Sequence, residues 1–291
     1  MRIRRSMGEK VFDAGNVAFL LLICATVLLP LLHVLAGAFS TSKALMCSEV
    51  LIWPVEFTFE NMSKVMDNEI FWHAFGVSVI VVVLGTLLNL AITSLTAYPL
   101  SKSYLTGRKW LLLVILFTMI FQAPLIPTYL VVKSLGMLNT LWALIIPAAM
   151  SGFNTILCLT FFRNLPEELF EAAKVDGMSE YGILFKIALP LSKPIMVTLL
   201  LFYAVVHWNS YYMPLLYITD LKWRTLQMYL FNLISQGDMS TTGASGAEFT
   251  QITPQSIQLA TIVVATIPII IVYPFLQKHF IKGALIGSVK G

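Results

Sequence analysis

The chain has 291 residues, of which 58% are hydrophobic and only 12% charged. A soluble domain carries about 25% charged residues. This composition, with its mean hydropathy of +0.82, excludes an ordinary soluble enzyme and points to a membrane protein. The net charge of +4 gives no sign of nucleic acid, because the basic residues gather between apolar blocks.

A helix needs about 20 mostly apolar residues to cross a hydrocarbon layer about 30 Å thick. Six blocks reach that length, roughly 15–39, 71–100, 110–132, 140–162, 194–218 and 257–277. They are continuous runs, unlike the alternating segments of about ten residues that build a transmembrane barrel. The expected fold class is therefore an all-α membrane protein of six transmembrane helices, forming one domain over residues 1–291. The first block follows Arg2, Arg4 and Arg5 and ends at Ala36-Gly37-Ala38, which imitates a signal-peptide cleavage site. Its apolar run is longer than the about 7–15 residues of a signal h-region, so it is expected to remain as a span.

Lysine and arginine orient the blocks. With the N-terminus inside, the outside holds only Lys43, Lys64, Lys133, Lys222 and Arg224. The tail, the 101–109 turn, the 164–193 loop with Arg163 just before it, and the C-terminal end hold the rest, including Lys10, Lys102, Arg108, Lys174 and Lys282. The excess of inner basic residues predicts that both termini are cytoplasmic. Of the three cysteines, Cys24 and Cys158 fall inside spans and Cys47 outside, so no intrachain disulfide is expected.

Two outer segments, 40–70 and 219–256, are long enough to carry structure. The first has turn and strand-like signals from Trp53 to Phe59. The second holds Trp223, Tyr229 and Phe231, then a Gly/Ser/Thr-rich stretch over 236–246, with Gln236, Gly237, Ser240 and Gly243, that reads as flexible.

No Asp, Glu, Lys or Arg lies in any of the blocks; His33, His73 and His207 are their only ionisable side chains of that kind. Intramembrane charges usually mark ion or proton pathways, so an ion-coupled secondary carrier is the weaker alternative. Nor does the chain carry the G-x-x-x-x-G-K-[S/T] loop that wraps nucleotide phosphates. It is not expected to be an enzyme or to bind a cofactor or metal.

The inner loop over 164–193 is helical in pattern. Pro166 suits a first helical position, where its missing N–H has no helical partner. Glu167 and Glu168 then meet the positive end of the helix dipole. Gly177 is placed to end this helix in a left-handed conformation. Ser179 caps a second helix, expected to stop before Leu189-Pro190 because the residue before proline avoids helical angles.

Glu171-Ala172-Ala173, Asp176-Gly177, Phe185, Ile187, Leu189-Pro190 and Pro194 resemble the EAA loop of ABC-importer permeases. Met178 stands where that pattern commonly has alanine. Pro54 with Phe57-Thr58-Phe59-Glu60-Asn61, the run Trp208-Asn209-Ser210-Tyr211-Tyr212-Met213-Pro214-Leu215, and the tail from Phe280 to Gly291 are similar to the carbohydrate, and within it the oligosaccharide, branch. The resemblance implies the type I importer permease fold, in which Glu171, Ala172, Ala173, Asp176 and Gly177 form a coupling helix that docks on a cytoplasmic ATPase. It also implies the partners: a homologous permease subunit as heterodimer, two ATPase subunits using ATP and Mg, and an extracytoplasmic sugar-binding protein. The setting would be the bacterial cytoplasmic membrane and its lipid. Gln236, Gly237, Ser240 and Gly243 would then contact the binding protein. A permease of the same fold for a non-sugar solute is the other alternative.

Aromatic faces suit sugar C–H surfaces and amide or imidazole groups suit hydroxyls. Asn154, His207, Asn209, Tyr211 and Gln122 are the candidate pathway residues on that ground. Uncharged polar groups inside spans also bond neighbouring helices, and tyrosines near the boundary also form interfacial belts. Both readings stay open from the sequence.

Overall fold

The computed structural model describes residues 7–121, 123–240 and 253–288, with 236–240 and 275–288 described by their backbone alone. No strand occurs among the described residues. The helices in chain order are α1 (Met7–Ala38), α2 (Ser42–Met46), α3 (Glu60–Met66), α4 (Glu69–Ser101), α5 (Arg108–Ile120), α6 (Leu125–Ser134), α7 (Trp142–Ile145) and α8 (Gly152–Arg163). They continue with α9 (Glu167–Val175), α10 (Glu180–Ile183), α11 (Leu189–Leu191), α12 (Lys193–Asn209), α13 (Tyr212–Tyr217), α14 (Leu226–Ser240) and α15 (Pro254–Ser288). Three described helices are long and apolar enough to cross a membrane unbroken: α1, α4 and α15 over Pro254–Pro274.

The chain divides into two compact units, Met1–Glu69 with Asn232–Ile267, and Ile70–Phe231 with Pro268–Gly291. In the first, α1 is exposed along its apolar length and buries only Ala36, Gly37 and Ala38. Asn61 closes that end: its Nδ2 donates to the Ala38 carbonyl at 3.3 Å and the Ser40 carbonyl at 2.8 Å. The Val55 N–H donates to Ser40 Oγ at 3.0 Å, and the Thr58 N–H to the Phe39 carbonyl at 2.9 Å. The strand-like signals of Trp53–Phe59 thus end as turns, because these backbone groups find single partners beside α1 rather than a neighbouring strand. Ser42 Oγ and Ser256 Oγ lie 2.9 Å apart, tying the start of α2 to α15 within this unit.

In the second unit α4 is the central element. Its N-terminal half packs Val77 and Val81 with Val132, Leu144, Ile145 and Tyr217. Its C-terminal half packs Ala97, Tyr98 and Leu100 with Ile115, Leu159, Phe162 and the loop over 164–193.

The third and fourth apolar blocks are not continuous helices. After α5 the chain bends by 115° into α6. Pro124 caps α6 in an extended conformation and Pro127 lies in its first turn, and neither has the N–H that a single helix would need there. The fourth block is α7, then a non-helical stretch through Pro147, then α8. The fifth block breaks at Ser210, an extended residue, between α12 and α13.

Candidate functional site

The loop over 164–193 is a helical hairpin. Pro166 is the N-cap of α9 rather than its first residue, with φ −56° and ψ 124°. The helix ends in a left-handed turn at Gly177, φ 75°. There the Gly177 N–H donates to the Lys174 carbonyl and the Met178 N–H to the Ala173 carbonyl, both at 3.0 Å. These are the paired bonds of a Schellman cap. Ser179 then caps α10, accepting from the Gly182 N–H at 3.2 Å.

The second arm does not stop before Pro190, as the sequence suggested. It passes through a π-helical turn, Leu184–Ala188, into α11, which contains Pro190. A widened turn ahead of a proline accommodates both its ring and its missing N–H, so the helix bends instead of ending. The arm meets α12 at 85°.

α9 presents two faces. Phe170 and Ala173 turn into the core formed with Tyr98, Leu159 and Phe162, 4% and 5% exposed. Leu169, Glu171, Ala172, Val175 and Asp176 face outward, and Val175 is 89% exposed. Of the sequence-predicted coupling residues, Glu171, Ala172, Asp176 and Gly177 therefore lie on the open side. Ala173 does not: its small side chain fits the hairpin against its own subunit.

A polar cluster that sequence reasoning missed holds the hairpin to the C-terminal end of α4. The Glu180 carboxylate accepts from Tyr98 at 3.0 Å through Oε2 and from Tyr104 at 2.8 Å through Oε1. Lys174 Nζ lies 2.8 Å from the same Oε1 and donates to the Tyr104 hydroxyl at 2.9 Å. Lys102, only 8% exposed, sets its Nζ 3.3 Å from the Phe170 ring centroid. The sequence offered these lysines only as inner charges, and nothing in it paired them with rings.

The electrostatics follow the geometry. Burial raises the Glu180 carboxyl, but the bonds from Lys174, Tyr104 and Tyr98 outweigh it and hold the group below its ordinary value. The same bonds, to Glu180 and Tyr104, hold Lys174 above its ordinary value. Burial, then the charge of Lys174, lowers Lys102. The contribution of the Lys174–Glu180 pair is thus complete at neutral pH. It is lost only as pH falls through the depressed carboxyl value or rises through the raised ammonium value. Both side chains are partly exposed, at 39% and 50%, so the ion pair alone contributes about 0–1 kcal/mol.

The pathway candidates separate. Asn154 and Asn209 line a mostly apolar cavity of about 900 Å3 between α8, α12 and α15, together with Trp208 and Tyr273. His207 does not line it. It is 7% exposed, and its Nε2 donates to Asn89 Oδ1 at 2.7 Å, while Asn89 Nδ2 donates on to the Ala148 carbonyl between α7 and α8. His207 therefore joins α12 to α4, as the Thr93–Tyr203 bond of 2.7 Å does one turn further along α4. Tyr211 stacks on Phe231, centroids 5.8 Å apart. Gln122 lies outside the described residues, and so does Gly243. Gln236, Gly237 and Ser240 belong to the backbone of α14. This part of the stretch read as flexible is helical, because the apolar spacing that begins at Leu226 carries the helix past Ile234.

The model of the family described as "binding-protein-dependent transport system inner membrane component" matches residues 17–285. The chain belongs to that family. It is a multi-pass membrane component of a transport system. Among its relatives, Protein LplC of Bacillus subtilis (strain 168) is 47% identical over 99% of this chain and 98% of that protein. The polygalacturonan/rhamnogalacturonan transport system permease protein YtcP of the same organism is 43% identical, over 98% of this chain and 100% of its own length. Among solved structures, a chain of a bacterial ABC transporter involved in the import of the acidic polysaccharide alginate superposes with a TM-score of 0.87. That chain is 29% identical, and the match covers 96% of this chain and 99% of the other. The permease architecture implied by the motif over 164–193 is thereby shown.

Proposed function

We propose that this chain is the permease subunit of an ATP-driven importer for carbohydrate, in particular oligosaccharides released from plant or algal polysaccharides. The carrying observation is the hairpin: α9 is anchored by Phe170 and Ala173 while Leu169, Glu171, Ala172 and Val175 project outward. An anchored helix with one open face suits helix-in-groove docking on a separate protein. That protein is the ATPase, present in two copies and using ATP and Mg, since this chain has no phosphate-binding loop. A homologous permease supplies the other half of the pathway, and an extracytoplasmic binding protein delivers the sugar. ATP binding closes the ATPases and reorients the spans outward; hydrolysis resets them. The uncharged spans and the relatives named for polysaccharide transport support this reading over ion coupling and over a non-sugar solute.

The assembled complex in proteoliposomes is expected to take up oligogalacturonides or alginate oligosaccharides with ATP and binding protein present and no ion gradient. Uptake driven by a sodium or proton gradient without ATP would defeat the reading.

The proposal includes six spans in the bacterial cytoplasmic membrane, with both termini and the hairpin inside. The native Cys47, exposed in the first unit, then reacts with an impermeant thiol reagent from outside. A cysteine placed at Ser179 reacts only after the membrane is opened. The opposite labelling would invert the topology and remove the hairpin from any cytoplasmic ATPase.

A further inference from the structure

We propose that Glu180 is a positioning residue for coupling: it locks the hairpin to the inner end of α4, so that a pull on α9 moves the membrane helices instead of flexing the hairpin. The inference rests on the coupling role proposed above for α9. A helix of nine residues has too few turns to hold its own conformation and direction in water. Contacts with the rest of the unit must set them. Gly177, between the arms, has φ 75° and nothing within 4 Å of where a Cβ would stand, so no neighbouring side chain braces the turn beyond its two cap bonds.

Glu180 spans that joint. Its carboxylate gathers Lys174 from α9, Tyr98 from α4 and Tyr104 from the turn before α5, at 2.8 to 3.0 Å. The Lys174–Tyr104 bond of 2.9 Å closes the ring of contacts. A second attachment, Lys102 over the Phe170 ring at 3.3 Å, holds α9 against the same end of α4. Two attachments either side of the glycine turn fix the hairpin in angle as well as in place. From there α4 passes displacement to α12 through Thr93–Tyr203 and Asn89–His207, at 2.7 Å each. Hydrogen bonds to a charged group, each satisfied on a different element, resist rotation better than the apolar contacts of Phe170 and Ala173 alone.

The test uses the complete transporter with its native cysteines replaced. Spin labels are placed at Val175→Cys on α9 and Lys109→Cys on α5, both exposed. Distances are measured without nucleotide and with ATP plus vanadate, alongside ATP hydrolysis. The parent is expected to keep one narrow distance in both states. Glu180→Ala is expected to broaden the distribution at least about twofold while basal hydrolysis persists. Tyr104→Phe, which removes one hydroxyl and keeps the ring beside Lys174, gives a smaller broadening. Glu180→Gln, which retains the shape and one acceptor but loses the charge paired with Lys174, falls between the parent and Glu180→Ala. Distributions as narrow in Glu180→Ala and Tyr104→Phe as in the parent overturn the proposal. Cross-linking of Val175→Cys to the ATPase separates the two readings. Without that cross-link in the parent, the coupling role of α9 falls; with it and unchanged distributions, only the positioning role of Glu180 falls.

Discussion

In the assembled transporter, Gly177→Pro is expected to abolish sugar uptake while the chain still inserts and the complex still hydrolyses ATP. Gly177 sits at φ 75° and its N–H donates to the Lys174 carbonyl at 3.0 Å. Proline fixes φ near −65° and has no N–H, a mismatch worth about 3 kcal/mol or more. The Schellman cap cannot form, so the population of correctly capped hairpin falls about a hundredfold at that cost. Gly177→Ala meets only the left-handed penalty of about 1–2 kcal/mol and reduces uptake less. Glu171→Ala leaves the cap intact but removes a charge from the open face, and it is expected to separate hydrolysis from uptake too. The measurement is uptake per ATP hydrolysed, with membrane insertion checked by labelling. Parent-like ratios in both Gly177→Pro and Glu171→Ala would remove the hairpin from the coupling path.

The second large effect is on stability. Gly85 on α4 faces His207: a Cβ there would lie 2.5 Å from Nε2 and 2.7 Å from Cε1. The ring has little freedom to yield, because it is held to Asn89 at 2.7 Å. Gly85→Leu therefore pushes the imidazole off Asn89 and separates α4 from α12. Overpacking costs about 1–3 kcal/mol, and a lost interhelical hydrogen bond adds about 0.6–1.7 kcal/mol. His207→Leu costs only the second of these. The expected order of detergent melting temperatures is parent, then His207→Leu, then Gly85→Leu, the last lower by about 3–19 °C at about 2–4 °C per kcal/mol. Asn209→Ala, on the cavity wall, should melt like the parent. If Gly85→Leu melts with the parent, the α4–α12 contact is not the close approach described.

The composition, the apolar blocks and the hairpin caps are local properties, and they were legible residue by residue. Uncharged runs announce burial in lipid because charge there is costly. Gly177 and Ser179 announce their turn because glycine accepts positive φ and a serine hydroxyl can satisfy a free N–H at a helix start. The family motif lies in that same short segment. Breaks at Pro124 and Pro147 were visible as prolines. The apolar runs around them nevertheless read as single spans, since hydropathy does not register a missing N–H.

What only the tertiary structure decided is which partner each side chain meets. Ala172 and Ala173 are adjacent and identical in chemistry, yet one faces outward and the other is 5% exposed. The direction of α9 against α4 makes that choice. His207 is as suited to a sugar hydroxyl as to Asn89, and the bond to Asn89 joins residues separated by 118 positions. Tyr98 and Glu180 are separated by 82 positions. Periodicity and capping describe a helix and its neighbours in sequence. Contacts across such separations depend on how the helices cross, and that follows from the packing of all of them at once.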